Sequence, residues 1–177
     1  MVFQRATYRI VHCIALLVAT HLVACNIIDD PLPTYDQTSI IAVGDRAPEF
    51  SIESLDGNML TIPNGETTLL ILFSHTCPDC KSLFDELQTC ILEGDDTPRI
   101  VAVSRGGSSE EISDFRAANN YGFDMAADSD KHIFYQYATM YVPRCYVIDT
   151  DGVVQYVTYE YTSGDIDRIM NFIYQAN

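Results

Sequence analysis

A continuous apolar run ends in a pair of cysteines, and a helical pattern starts directly behind them. The run covers residues 67–73 and is followed by Cys77 and Cys80, with Pro78 after the first cysteine. An apolar run of this length is typical of a strand buried on both faces. The pattern therefore predicts a central strand and a helix over 77–92, in which Pro78 suits the first turn. The apolar residues of that helix recur at helical spacing: Leu83, Phe84, Leu87, Cys90 and Ile91.

Two cysteines with this spacing can form a disulfide of acceptable geometry. Unpaired N–H groups and the helix dipole stabilise a thiolate at the first position, whereas Cys80 lies one turn inside and is shielded. We therefore predict that Cys77 is the nucleophile and that Cys80 resolves the mixed disulfide. A zinc site is disfavoured because the chain has no second Cys-x2-Cys and no paired histidines. A copper site with His75 is an alternative, but we expect a redox pair without metal or cofactor.

The rest of the chain alternates between strand-like and helical patterns. A hairpin, then β-α-β-α-β-α, then a second hairpin and a helix predict an α/β three-layer sandwich. Ser108 and Glu111 are spaced as a capping box for one of the helices. The predicted strands are 51–55, 58–62, 67–73, 99–104, 123–127, 144–149 and 153–159, and the predicted helices are 77–92, 108–120, 131–139 and 165–175.

The first 39 residues predict export and attachment to a membrane. Two arginines precede the apolar stretch 10–24, which is too short to span a bilayer and fits a secretory signal. Leu22-Val23-Ala24-Cys25 resembles a bacterial lipobox, which predicts a signal peptide over 1–24 and a lipid on Cys25. An ordinary signal or an anchor helix with a chance cysteine is the alternative. We expect residues 25–39 to be a flexible tether and residues 40–177 to be the folded domain.

The formal net charge is −15. A chain this acidic is repelled by the phosphates of nucleic acids, so no nucleic-acid partner is expected. The simplest role of the charge is solubility.

From about residue 43 onwards, three segments carry a family resemblance: 43–50, 77–81 and 141–152. They resemble the thioredoxin-like proteins of the TlpA/ResA type, membrane-tethered thiol–disulfide oxidoreductases close to the peroxiredoxins. The resemblance implies a thioredoxin-like α/β/α sandwich with an N-terminal β-hairpin extension. It also implies a cis Val142–Pro143 bond facing the cysteines, with the Val142 backbone pairing with an extended substrate. The implied partners are protein thiols or disulfides and a membrane electron donor, in the cell envelope outside the cytoplasm.

Several positions depart from the family. Thr76 replaces the usual Trp before the first cysteine, and Ile71 and Leu83 are apolar where an acid is often buried. Arg144 replaces the usual Thr after the cis-proline, either as a solvated surface charge or as a cation near Cys77. Together with Val142 and Pro143 of the segment that resembles the family, Thr76 and Arg144 are the candidate groove residues.

Three residues beside the pair are candidates for tuning it: His75, Pro78 and Asp79. An anion at Asp79 disfavours the thiolate, which favours a reducing enzyme. His75 either packs under the loop or acts as an acid–base group.

The cysteines and the residues around them also bear on alternative functions. A peroxidase motif Pro-x-x-x-Thr-x-x-Cys has neither its Pro nor its Thr at the required positions. We expect Cys90 and Cys145 to be buried thiols, with a third-thiol role for Cys145 as an alternative. The second hypothesis for the whole protein is a non-enzymatic surface lipoprotein with a structural Cys77–Cys80 disulfide.

Overall fold

The computed structural model describes residues 32–93 and 98–176. The predicted signal peptide 1–24, the predicted lipid site Cys25 and the first part of the predicted tether lie outside these residues. Among the described helices, none is both long and apolar enough to cross a bilayer.

Five strands form one mixed sheet, in the order β5-β4-β3-β6-β7. Strands β3, β4 and β5 are parallel, β6 is antiparallel to β3, and β7 is antiparallel to β6. Two further strands, β1 and β2, form a separate antiparallel hairpin, as predicted. Every residue of β3 is buried, as expected for a central strand covered on both faces. The strands are β1 Phe50–Glu53, β2 Met59–Ile62, β3 Thr68–Phe73, β4 Arg99–Arg105, β5 Asp124–Asp128, β6 Arg144–Ile148 and β7 Val154–Thr158.

Helices and the hairpin cover the two faces of the sheet. Side chains of α1, α2 and α4 pack into one apolar cluster with one face of the sheet. Side chains of α3 and of the β1–β2 hairpin pack into a second cluster with the other face. The predicted α/β sandwich with an N-terminal hairpin is confirmed. The helices are α1 Pro78–Glu93, α2 Ser109–Asn119, α3 Phe134–Tyr137 and α4 Asp165–Ala176.

Local sequence signals explain where the two longer helices of the first half begin. Pro78 is the first residue of α1, where its missing N–H costs no helical hydrogen bond. For α2, the Ser108 amide donates to Glu111 Oε2 (2.8 Å) and the Glu111 amide donates to Ser108 Oγ (3.2 Å). The predicted capping box is therefore present.

The helix predicted over 131–139 is wrong in length, because α3 covers only Phe134–Tyr137. Lys131 has φ +63°, a left-handed conformation that cannot lie inside a right-handed helix. Ala138 at the other end is extended and bridges Ser39. The helical periodicity was real, but tertiary contacts restrict the helix to a single turn.

The domain begins earlier than predicted, because residues 33–39, which we call the strap, are bound to it. Thr139 donates its amide to the Thr38 carbonyl oxygen (2.9 Å). Just beyond the strap, the Ile40 amide donates to the Tyr137 carbonyl oxygen (2.9 Å). The prediction of a flexible tether up to residue 39 is therefore wrong for these seven residues. The strap is held by backbone hydrogen bonds and polar side chains. Such contacts need no apolar residues at regular spacing, so the sequence shows no periodic pattern there.

Candidate active site

The two cysteines differ in exposure at the start of α1. Cys77 directly precedes the helix, and its amide donates to the Ser74 carbonyl oxygen (3.1 Å). Its side chain is half-buried, whereas Cys80 is completely buried. Both side chains are free thiols. This exposure is the one expected if Cys77 attacks and Cys80 resolves, an order of roles that stays a prediction.

The environment of Cys80 keeps its sulfur protonated. Burial raises the pKa of the Cys80 thiol, and the neighbouring Cys77 and Cys145 raise it further. The Ser74 amide donates to Cys80 Sγ (3.4 Å), which acts in the opposite direction but does not cancel the effect of burial. Cys80 is therefore a thiol at neutral pH, and it would have to lose its proton in order to attack a mixed disulfide.

The Val142–Pro143 peptide bond is cis, as the family resemblance implied. Pro143 is buried and Val142 is half-buried. Cys77 Sγ donates to the Val142 carbonyl oxygen at 3.7 Å, so this bond lies directly beside the accessible thiol. The structure thus brings together two segments that are 65 residues apart in the chain.

The residues around the cysteine turn are mostly exposed. Thr76, Pro78 and Asp79 all face solvent, and Asp79 lies in the first turn of α1. The Thr76 and Ser74 hydroxyls are 3.0 Å apart and share a hydrogen bond, and the Thr76 amide reaches Ser74 Oγ at 3.4 Å. At the position where the family has an indole ring, this chain therefore has a small hydrogen-bonded loop.

His75 is half-buried and packs under that loop. Its ring centroid is 6.5 Å from that of Phe115. A Cβ at Gly107 would lie 3.1 Å from His75 Cε1, so this glycine gives the imidazole its space. Among the described residues, buried His75 Nδ1 has no hydrogen-bond partner. The packing position is the one the sequence predicted, and an acid–base role stays untested.

Arg144 is completely buried, so the prediction of a solvated surface charge is wrong. Side chains alternate along β6: Cys145 belongs to the apolar cluster under α1, and Tyr146 belongs to the cluster on the other face. The Arg144 side chain therefore lies on the face away from α1. Its hydrogen bonds are made to Tyr35 and Thr38 of the strap and to the loop before Pro143. The second reading, a side chain directed at Cys77, is not what these contacts show.

The remaining two cysteines lie apart from the accessible thiol. Cys145 is completely buried in the cluster that contains Cys80, and burial raises its pKa to about 12. Cys90 is only half-buried, with its Sγ 3.6 Å from Asp167 Oδ1. The prediction of two buried thiols is therefore confirmed for Cys145 and holds only in part for Cys90.

The two positions at which the family often buries an acid are apolar and buried in this chain. Ile71 and Leu83 have at most 1% of their surface exposed, and both pack in the cluster around Cys80. Among residues 32–93 and 98–176, no group of three or more His, Cys, Asp or Glu side chains could hold a metal ion.

Sequence reasoning missed an aromatic pair beside the cis-proline. The rings of Tyr35 and Tyr141 are 4.7 Å apart, and Tyr141 Oη donates to the Pro33 carbonyl oxygen (3.1 Å). Tyr35 is also close enough to Asp79 for that carboxylate to contribute to raising its pKa, after burial and Glu160. No local pattern marks Tyr35, because its ring packs on Tyr141, which is distant from it in the sequence.

The sheet topology, the dithiol at a helix start and the adjacent cis-proline define a thioredoxin-fold dithiol protein. Residues 43–157 match the model of the AhpC/TSA family, and the chain belongs to that family. Together with its relatives, the site makes it a thiol–disulfide oxidoreductase of the TlpA/ResA type.

Two relatives and two solved structures illustrate the similarity. The thiol-disulfide oxidoreductase ResA of Bacillus subtilis is 26% identical over 75% of this chain and 76% of its own length. The sporulation thiol-disulfide oxidoreductase A of the same organism is 24% identical over 60% of this chain and 67% of its own.

Among solved structures, a candidate protein disulfide isomerase from Bacteroides thetaiotaomicron superposes with a TM-score of 0.70 at 21% identity, covering 78% of this chain and 91% of that one. StoA from Bacillus subtilis has a TM-score of 0.62 at 20% identity, covering 72% and 97%. At these identities the solved structures support the fold alone.

Proposed function

We propose that the protein is a lipid-anchored enzyme outside the cytoplasm that reduces disulfides of exported proteins. One observation carries the chemistry: half-buried Cys77 at the start of α1 contacts the Val142 carbonyl, with fully buried Cys80 behind it. An accessible first sulfur and a shielded second one suit an attacking and a resolving thiol.

The reaction consists of two thiol–disulfide exchanges. The Cys77 thiolate attacks one sulfur of the substrate disulfide, a Cys77–substrate bond forms, and the other substrate sulfur leaves as a thiolate that takes up a proton. Cys80 then loses its proton and attacks Cys77 Sγ. The mixed disulfide breaks, the second substrate thiol is released, and Cys77 and Cys80 become a disulfide. Two electrons pass from the enzyme to the substrate, and a membrane electron donor restores the dithiol.

We expect the substrate groove beside Cys77, and the same contacts support this expectation. Thr76 borders Cys77 on the loop side, and Val142 and Pro143 border it on the other side. An extended polypeptide that pairs with the Val142 backbone would bring its disulfide to Cys77. Arg144 contributes its backbone to this groove, since its side chain is directed to the other face of the sheet.

Anchoring rests on the lipobox-like segment that ends in Cys25. The eight residue-to-residue steps from Cys25 to Pro33 can span at most about 29 Å. Since the strap that follows is bonded to the loop before Pro143, the proposed anchor would keep the site near the membrane surface.

An insulin-reduction assay tests the chemistry. We expect turnover with the wild-type dithiol, none with Cys77→Ala, and wild-type turnover with Cys90→Ala as the matched control. Cys80→Ser should accumulate mixed disulfides with exported proteins. A wild-type protein without activity, with a potential well below about −300 mV, would support the rival hypothesis of a structural disulfide in a binding protein.

Fractionation tests the anchor. In cells, the wild-type chain should be recovered with membranes and carry acyl chains on Cys25. Cys25→Ala should move it to the soluble fraction. Membrane recovery of Cys25→Ala without a lipid would contradict this part of the proposal.

A further inference from the structure

Arg144 is a buried cation without a carboxylate partner among the residues that the structure describes. Its Nη2 donates to Thr38 Oγ1 (2.6 Å) and to the carbonyl oxygens of Met140 (3.0 Å) and Tyr35 (3.4 Å). Its Nε donates to the carbonyl oxygens of Met140 (3.2 Å) and Tyr141 (3.3 Å). A guanidinium is retained in a protein interior only where such bonds replace its hydration. These acceptors are therefore a condition for its burial.

The acceptors come from two segments that are distant in sequence. Tyr35 and Thr38 belong to the strap, and Met140 and Tyr141 belong to the loop that leads to the cis bond. The guanidinium fork is rigid and directs several donors at once, so it fixes the strap and the loop relative to each other. Arg144 is one link between them, in addition to the bonds from Thr139 to Thr38 and from Tyr141 to Pro33.

The loop held in this way carries the contact with Cys77. Tyr141 has φ +61°, a conformation that non-glycine residues adopt only when their surroundings enforce it. Its hydroxyl, ring and carbonyl are each engaged, by Pro33, Tyr35 and Arg144 respectively. The next residue is Val142, whose carbonyl accepts from Cys77 Sγ. The position of that carbonyl therefore depends on contacts with the strap.

Tyr35 lies beside the loop that leads to the cis bond, because its ring centroid is 4.7 Å from that of Tyr141, the residue before Val142. Asp79 of the cysteine turn is the last of the contributions that raise the pKa of Tyr35, after burial, Glu160 and Tyr141. It is only half-buried, so part of its side chain is open to solvent next to Tyr141, which precedes the Val142 carbonyl that contacts Cys77.

We propose that the strap, fixed by Arg144, forms one wall of the substrate groove, and that Tyr35 on it is a specificity-determining residue for disulfides carried on a polypeptide. This inference rests on the proposed reductase function. A polypeptide is long enough to contact Tyr35 while its disulfide is at Cys77, whereas a small disulfide reaches the thiol without touching the strap. Arg144 and Thr38 are positioning residues, since they act through Tyr35 and the Val142 carbonyl.

The test compares a protein disulfide with a small one. Reduction of insulin and of hydroxyethyl disulfide is measured for the wild-type protein, Tyr35→Ala, Thr38→Val and Asp36→Asn. Tyr35→Ala should raise KM for insulin about fivefold, the effect of losing one aromatic contact. It should change kcat and the Cys77–Cys80 potential little, and affect the small disulfide much less than insulin.

Thr38→Val removes the shortest bond to Arg144 without changing the size of the side chain, and should shift KM for insulin in the same direction by a smaller factor. Asp36→Asn, at an exposed position of the same strap, is the control and should behave like wild type. Thermal melts of all variants show whether each is folded.

Equal losses with insulin and with hydroxyethyl disulfide, or a changed potential, would show that the strap only supports the structure, and would overturn the proposal. Unchanged KM in Tyr35→Ala would also overturn it. A wild-type protein that reduces neither substrate contradicts the proposed function itself, so the two failures are distinguishable.

Discussion

Arg144 and Cys145 are adjacent in β6 and equally buried, yet they face two different interiors. On the Cys145 side, α1 and its neighbours enclose Cys80 in an apolar cluster with Ile71 and Leu83. On the Arg144 side, the strap and the loop before Pro143 surround a cation with hydrogen-bond acceptors. The first side is stabilised by packing, and the second by hydrogen bonds from Arg144 Nε and Nη2, whereas buried Nη1 has no hydrogen-bond partner among the described residues. Cys77 packs against the apolar cluster of the first side, and its Sγ contacts the Val142 carbonyl at the end of the loop on the second side.

The largest effect is expected on the apolar side. Leu83→Ala should lower the free energy of unfolding by about 2–5 kcal/mol, because it leaves a cavity beside Cys80. Urea unfolding of the reduced protein measures it. Met59→Ala, at a residue that is 65% exposed, is the control and should change stability by less than about 0.5 kcal/mol. Similar values for the two variants would contradict the assignment of this face as the packed core.

A smaller loss is expected from Arg144→Lys on the polar side. Lysine keeps the charge but lacks the several N–H donors of the guanidinium group, so acceptors in the strap or the loop lose their donor. We expect a loss of about 1–3 kcal/mol in unfolding free energy. Arg46→Lys is the matched control, since Arg46 is exposed and donates to one carbonyl oxygen. If Arg144→Lys and Arg46→Lys change the free energy of unfolding in urea equally, the Arg144 guanidinium does not hold the strap.

The smallest expected effect is on the pH dependence of the unfolding free energy, through Cys145 on the apolar side. Burial raises the pKa of Cys145 to about 12, so the folded state keeps its proton when the unfolded chain has lost it. Its contribution to stability is complete below the unfolded pKa near 9 and declines as pH rises from there towards 12. Between pH 9 and 10, Cys145→Ala should make the decline in unfolding free energy shallower by up to about 1.4 kcal/mol per pH unit.

The measurement is urea unfolding of the reduced protein at several pH values, with Cys90→Ala as the variant of a half-buried thiol for comparison. Identical slopes for the wild-type protein and Cys145→Ala would contradict the shifted titration. The mean stability of Cys145→Ala does not enter the test, since only the slope is compared.

Prediction from sequence succeeded where the signal is local. The capping box of α2 depends on Ser108 and Glu111, three residues apart, and is present with both of its bonds. The start of α1 follows from Pro78 and from apolar residues at helical spacing. The cis bond before Pro143 was implied by a family motif within one short segment, and it too is present. A second cis bond, Ile62–Pro63, was not predicted, because nothing in the sequence around it distinguishes the two isomers.

Prediction failed where distant residues determine the outcome. The charge of Arg144 suggested exposure, but its partner Tyr35 lies 109 residues away. The strap has no apolar period because it is bound through backbone atoms and the hydroxyls of Thr38 and Tyr141. The helix around Phe134 is one turn long because Ala138 pairs with the strap.

The sequence by itself determined the cysteine pair at a helix start, the order of strands and helices, and the family. Spacing, periodicity and motifs are properties of neighbouring residues and can be recognised without coordinates. Only the tertiary structure decided that Arg144 is buried, that the strap belongs to the domain, and that Tyr35 packs on Tyr141 beside the cis-proline. The reason is physical: burial of a charge is favourable only when its hydrogen-bond partners are in place, and those partners are brought together by the fold.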